Sequence, residues 1–175
     1  MAELFIITAS RPAAYKHYTT SIASPLSRDL LKRYLPPPEF QKVESIFGNA
    51  PIHAWGATSG KRNVGNWQRL RPEDYVLVYV QGKFVNLARV AYKLPHPQLE
   101  LARMLWGTQD GETWEYVYFL KDVRKINYHI DRFCDDLVGY SHRFYPQGLM
   151  RIPRNKYEPR FGTLERFLEH CTKAM

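Results

Sequence analysis

Cysteine is scarce in this chain: Cys134 and Cys171 are the only two among 175 residues. Two thiols cannot build a disulfide scaffold, and neither belongs to a CxxC pair. Met1-Ala2-Glu3 leads straight into a strand-like segment, so no targeting peptide is expected. The two cysteines are accordingly expected to be reduced thiols in a cytoplasmic protein. Long hydrophobic runs are missing too, which argues against a membrane-spanning helix. No two of the six histidines stand three or four residues apart, so the usual metal-ligand spacing is absent.

Catalytic motifs are equally thin. Gly56-Ala57-Thr58-Ser59-Gly60-Lys61-Arg62 is one residue short of a phosphate loop, and Arg62 stands where a Ser or Thr would hold magnesium. There is no G-x-S-x-G elbow. Asp135-Asp136 is a carboxylate pair, but neighbours on a helix point about 100° apart and read as a solvated pair. The expectation is a chain with no catalytic residue, no metal and no cofactor.

Acids are the minority charge. Twenty-five Lys and Arg stand against 17 Asp and Glu, giving +8. That balance suits a polyanionic partner and says nothing about fold. From His53 to Arg71 there are four cations and no acid. From Arg143 to Arg160 there are five cations and only Glu158. The two windows either share a face or form two separate solvated loops.

What is plentiful is aromatic: 12 Tyr, 9 Phe and 4 Trp. Hydrophobic residues make up 45% of the chain, an ordinary globular share. The length suits one domain over residues 1–175. Leu4 to Ile7 is a strand-length apolar run. Ser27 followed by Leu30, Leu31 and Tyr34 predicts a short helix stopped by Pro36-Pro37-Pro38. Glu39 to Phe47 predicts a second, ended by Gly48. Ile52 to Trp55 predicts a strand, and Gly56 to Gly65 a glycine-rich basic loop. Tyr75 to Val80 and Phe84 to Tyr92 predict a hairpin turning at Gln81-Gly82-Lys83. Helical spacing follows at 98–105, a strand at 114–120, a helix at 127–137 and a last strand at 148–152. Thr163 caps an amphipathic helix. Short strands mixed with short helices make an α+β protein, a small curved or barrel-like sheet with helices around it.

Trp55 and Trp106 both stand at element ends beside glycine and polar residues. Two facing rings make a slot for one extruded base; two buried rings make core. Ile52-His53-Ala54-Trp55-Gly56-Ala57-Thr58, followed by Asn63, resembles a segment of the YTH and EVE domains of the PUA-like superfamily. Trp106, Gly111, Lys121-Asp122-Val123 and His129-Ile130 then follow in the order of a YTH stretch. Gln147-Gly148-Leu149 and Phe161-Gly162-Thr163-Leu164-Glu165 resemble EVE-like modules of McrB-type, modification-dependent restriction systems. Arg154-Asn155 stands where YTH domains have Arg-Asp.

That resemblance implies a PUA-like (EVE/YTH) barrel that binds DNA and flips one modified base, N6-methyladenine first and 5-methylcytosine second, into an aromatic cage. It implies Trp55 and Trp106 as cage walls, and Ser10, Asn63 and Asn155 as base-edge contacts. It implies Lys61, Arg62, Arg143, Arg151 and Arg154 as phosphate contacts. It also implies a GTP-hydrolysing AAA+ motor in a longer chain and a McrC-type nuclease subunit as partner. The alternatives are a PUA-like RNA-binding module and, third, a small RNA-modifying or hydrolytic enzyme of the ASCH group.

Overall fold

A computed structural model describes residues 1–174. Six strands form one sheet: β1 (Leu4–Thr8), β2 (His53–Ala57), β3 (Tyr75–Val80), β4 (Lys83–Lys93), β5 (Tyr116–His129) and β6 (Leu149–Ile152), in the order β2-β5-β4-β3-β1-β6. Only β1 and β3 run parallel; every other pair is antiparallel. The fold is α+β, a half-barrel sheet ringed by short helices, as expected for a PUA-like architecture. Its curl follows from irregular pairing. β4 shifts register against both neighbours, and Asp122 in β5 takes a left-handed φ of 52°. Each bulge bends a strand and increases its twist.

Eight helices surround the sheet: α1 (Pro12–Ser21), α2 (Arg28–Tyr34), α3 (Pro37–Phe47), α4 (Lys61–Arg69), α5 (Leu99–Trp106), α6 (Ile130–Asp136), α7 (Glu158–Phe161) and α8 (Leu164–Lys173). The proline run both ends α2 and starts α3, because Pro37 tolerates the first helical position, where no N–H partner exists. Thr163 caps α8 as expected, its Oγ1 accepting the Arg166 N–H at 3.3 Å. The segment 127–137 divides differently from expectation: β5 runs through His129, and only Ile130–Asp136 is helical.

Alternation along the strands sorts the core. Phe5, Ile7, Trp55, Trp67, Val76 and Tyr118 fill one cluster. Leu4, Ile6, Phe84, Tyr128, Phe133 and Phe167 fill a second, with residues of α6 and α8. Ala54, Phe119, Phe40, Leu101 and Trp106 belong to a third, with residues of α2, α3 and α5.

The Gly56–Gly65 loop is the largest local departure. β2 continues through Ala57, and α4 begins at Lys61. α1 was also not anticipated. α4 reads K-R-N-V-G-N-W-Q-R, with a glycine and two asparagines that disfavour a helix interior. Tertiary contacts override that preference. Trp67 is buried, and the Asn66 side-chain N–H donates to the Leu149 carbonyl at 2.7 Å.

Candidate functional site

β1 and β3 run side by side and end together. The Ala9 N–H donates to the Tyr79 carbonyl at 2.8 Å, and Ser10 Oγ accepts the Gln81 N–H at 2.9 Å. This edge forms one wall of an open cavity of about 550 Å³, within the ordinary range for ligand sites of roughly 300–1,000 Å³. The start of α4 supplies a second wall through Thr58 and Asn63. Trp114 and the 107–113 turn supply a third, and Tyr145 to Gly148 a fourth.

Asn63 holds two of those walls together. Its Nδ2 donates to Thr58 Oγ1 at 2.9 Å, and its Oδ1 accepts the Leu149 N–H at 3.2 Å. An amide has a second N–H and a second lone pair, so it can also meet a ligand. The 107–113 turn is braced by paired backbone bonds between Gln109 and Glu112 and by Thr113 Oγ1 donating to the Gly107 carbonyl at 2.9 Å. Its Asp110 and Glu112 line the cavity. Carboxylates there can accept from an exocyclic amine.

One cation lines the cavity, and three more stand within two residues of lining side chains in the chain. Arg11 lines the cavity. Lys61 and Arg62 are exposed in the first turn of α4, whose cap residue Gly60 offers no side-chain acceptor. The first N–H groups of that helix are therefore left for solvent or an anion. Arg143 is exposed two residues before Tyr145, which is itself 59% exposed. Arg11, Lys61, Arg62 and Arg143 have no ion pair among the described residues.

Trp55 and Trp106 are brought together, but not as facing walls. They are 5% and 8% exposed, with ring centroids 6.3 Å apart and planes at 57°. The gap they share with His17 and Trp114 admits no water molecule. Trp106 Nε1 donates to Ser21 Oγ at 3.1 Å, and His17 meets Trp114 edge-on at 4.2 Å. Burial lowers the His17 pKa, which keeps the ring neutral in this cluster. Gly56 makes the close packing possible. A β-carbon there would stand 2.2 Å from the Trp114 carbonyl oxygen and 2.7 Å from the Trp106 ring.

Trp114 belongs to both places, lining the open cavity on one side and the closed cluster on the other. It, Tyr145, Arg11 and the two carboxylates are the site features that sequence reasoning did not select. Trp114 was within reach, because it stands just after the Gly107 to Gly111 turn and two residues before β5.

The remaining candidates divide by position. Ser10 and Asn63 line the cavity. Asn155, Arg151 and Arg154 do not. β6 runs antiparallel to β1, so Gly148 lies at the cavity end, while Arg151 sits at the opposite end, bonded to Glu3. Asn155 lies in the short 3-10 turn Arg154–Lys156, beyond that far end. The two basic windows do meet, because Asn63 and Asn66 tie α4 to Leu149 of β6. Among the described residues, no group of three His, Cys, Asp or Glu side chains could hold a metal ion, and no helix is long and apolar enough to cross a membrane.

No family model and no curated protein matches this sequence. Among solved structures, the chain is similar to the N-terminal domain of Thermococcus gammatolerans McrB bound to m5C DNA. The TM-score is 0.70 at 18% identity, over 96% of this chain and 98% of that one. The YTH domain of the Zygosaccharomyces rouxii MRB1 protein, in complex with N6-methyladenosine RNA, aligns over 99% of this chain and 89% of that one, at a TM-score of 0.45 and 15% identity. At such identity the McrB likeness is one of fold.

Proposed function

We propose that this chain is a nucleic-acid reader that takes one modified DNA base into the cavity beside Trp114. The observation that carries the reading is convergence. Ser10, Asn63, Trp114 and Tyr145 come from four separate parts of the chain and line one open space together with Arg11, which has no ion pair among the described residues. Trp114 offers the stacking face, with Trp55 and Trp106 packed behind it. Tyr145, which also lines the cavity, is the second ring proposed to meet the base. Ser10, Asn63, Asp110 and Glu112 present the hydrogen-bonding groups that a base edge requires. Stacking is worth roughly 1–3 kcal/mol per base, enough to offset much of the cost of extruding one. The chemistry on the page is binding chemistry, and the reading assigns no catalytic step to this chain.

N6-methyladenine remains the first candidate base. 5-Methylcytosine is the second, and the m5C DNA held by the McrB domain of similar fold supports it. Both bases carry an exocyclic amine for the carboxylates. A role as the targeting part of a restriction complex, with a motor and a nuclease elsewhere, belongs to the same proposal. The test is a binding panel: one oligonucleotide as DNA and as RNA, each unmodified, N6-methylated on adenine or 5-methylated on cytosine. The expected outcome is tightest binding to one methylated DNA and loss of that preference in Trp114→Ala. Equal binding to all six overturns the reading.

A further inference from the structure

α4 contains a residue the protein itself does not require. Gly65 lies mid-helix, and beyond its chain neighbours and the backbone of its own helix no atom stands within 4 Å of where its β-carbon would be. Glycine inside a helix is destabilising relative to alanine, and here neither a left-handed turn nor a tight contact calls for it. Arg62 and Arg69 are exposed and lie three before and four after Gly65, on the same helical face.

A second observation lies at the far end of the same helix. A cavity of about 280 Å³ is lined by Glu3, Arg69, Arg71, Asp74, Arg151 and Met1. Its two carboxylates are already committed. Glu3 is bonded to Arg151, with Nε to Oε1 at 3.0 Å. Asp74 is buried, and its two oxygens accept the backbone N–H groups of Glu3 and Arg71, both at 2.8 Å. Arg69 and Arg71 have no ion pair among the described residues. The Arg151 hydrogen bond, with Arg154 and Arg69 nearby, holds the Glu3 carboxyl below the usual range, as an excess of guanidinium charge should.

α4 lies along β6, so the base cavity is at one end of this helix and the arginine cavity at the other. We propose that α4 is a rail for a phosphodiester backbone. The chain of a bound nucleic acid runs over the Arg62–Gly65–Arg69 face, and Arg69 and Arg71 grip one of its phosphates beyond. Seven residues of helix rise about 10 Å, which is about three nucleotides of one strand at 3.4 Å each. The missing β-carbon lets the backbone approach, and guanidinium forks suit phosphate oxygens. This rests on the reading that the neighbouring cavity takes a base.

The experiment uses the full 175-residue chain and hairpin-closed methylated duplexes ending about two or about ten base pairs from the modified base on either side. Arg69→Ala with Arg71→Ala is expected to weaken the long duplex roughly tenfold and to lower the salt slope by about 0.9, the share of the one phosphate they hold. The short duplex and the ratio of methylated to plain binding should be unchanged. Gly65→Ala is expected to raise the melting temperature while weakening only the long duplex. Equal loss on both lengths overturns the proposal, as does a Gly65→Ala protein that is more stable and binds as before. So does a double variant that loses inorganic phosphate or phosphatidylglycerol vesicles but keeps the long duplex. Length dependence without methyl preference supports the rail and sinks the base reading. Failure of the native chain to bind any duplex sinks both.

Discussion

Two aromatic regions share one tryptophan. On the inner side of Trp114, Trp55, Trp106 and His17 close on each other so tightly that water is excluded. On the outer side, Tyr145 and a rim of polar groups leave about 550 Å³ open. Both sides carry aromatic rings, so aromaticity alone does not mark a binding wall. What differs is the neighbour. Gly56 removes a side chain exactly where the inner rings meet, and the outer rings face hydroxyls, amides and carboxylates instead.

That contrast breaks first at the inner cluster. Trp106→Ala and Trp55→Ala should each cost about 3–5 kcal/mol of stability, as buried tryptophans do. Thermal melting checks this, and a near-native melting temperature would return these rings to the role of accessible walls. Gly56→Ala comes next. Its new methyl group has no space, and overpacking of this kind costs typically about 1–3 kcal/mol, read in the same melt.

Trp114→Ala and Tyr145→Ala sharpen the comparison from the other side. Tyr145→Ala should change stability by less than about 0.5 kcal/mol, as exposed positions do, yet weaken base-specific binding by roughly 1–3 kcal/mol. Titration of methylated and plain DNA into each variant separates the two effects. A Tyr145 variant that binds normally would confine the stacking face to Trp114.

The smallest effect is acid sensitivity at two histidines shielded from water, His17 of the inner cluster and His53 of β2. Burial lowers the pKa of His17 and His53 from the ordinary 6.5. The unfolded chain then binds more protons than the folded one, so stability falls as pH drops below about 6.5 and declines until the folded groups protonate. Denaturant midpoints at neutral and mildly acidic pH should show this, and His17→Gln should flatten the slope.

The strands and the hairpin were legible because alternation and the Gln81-Gly82 turn carry local signals. The site was half legible. Ser10 and Asn63 sit beside strand ends, where function gathers, and they line the cavity. Asn155, Arg151 and Arg154 lie away from the cavity, and sequence order does not reveal which end of β6 faces it. That depends on its antiparallel pairing with β1. α4 was hidden because its propensity is poor and its support comes from Trp67 and Asn66, whose partners are distant in sequence. The two tryptophans were read correctly as neighbours, but nothing in the sequence could show that Gly56 lets them seal the gap.

β1 has an outcome in time as well as in space. Residues 4–7 pair with 149–152 on one edge and with 75–78 on the other. The first strand made is thus the last to find both neighbours. Loop closure over such separations is slow, and contact order of this kind lengthens folding. Until residue 152 has left the ribosome, one edge of Leu4–Ile7 stays unpaired, an apolar strand open to association with any other chain.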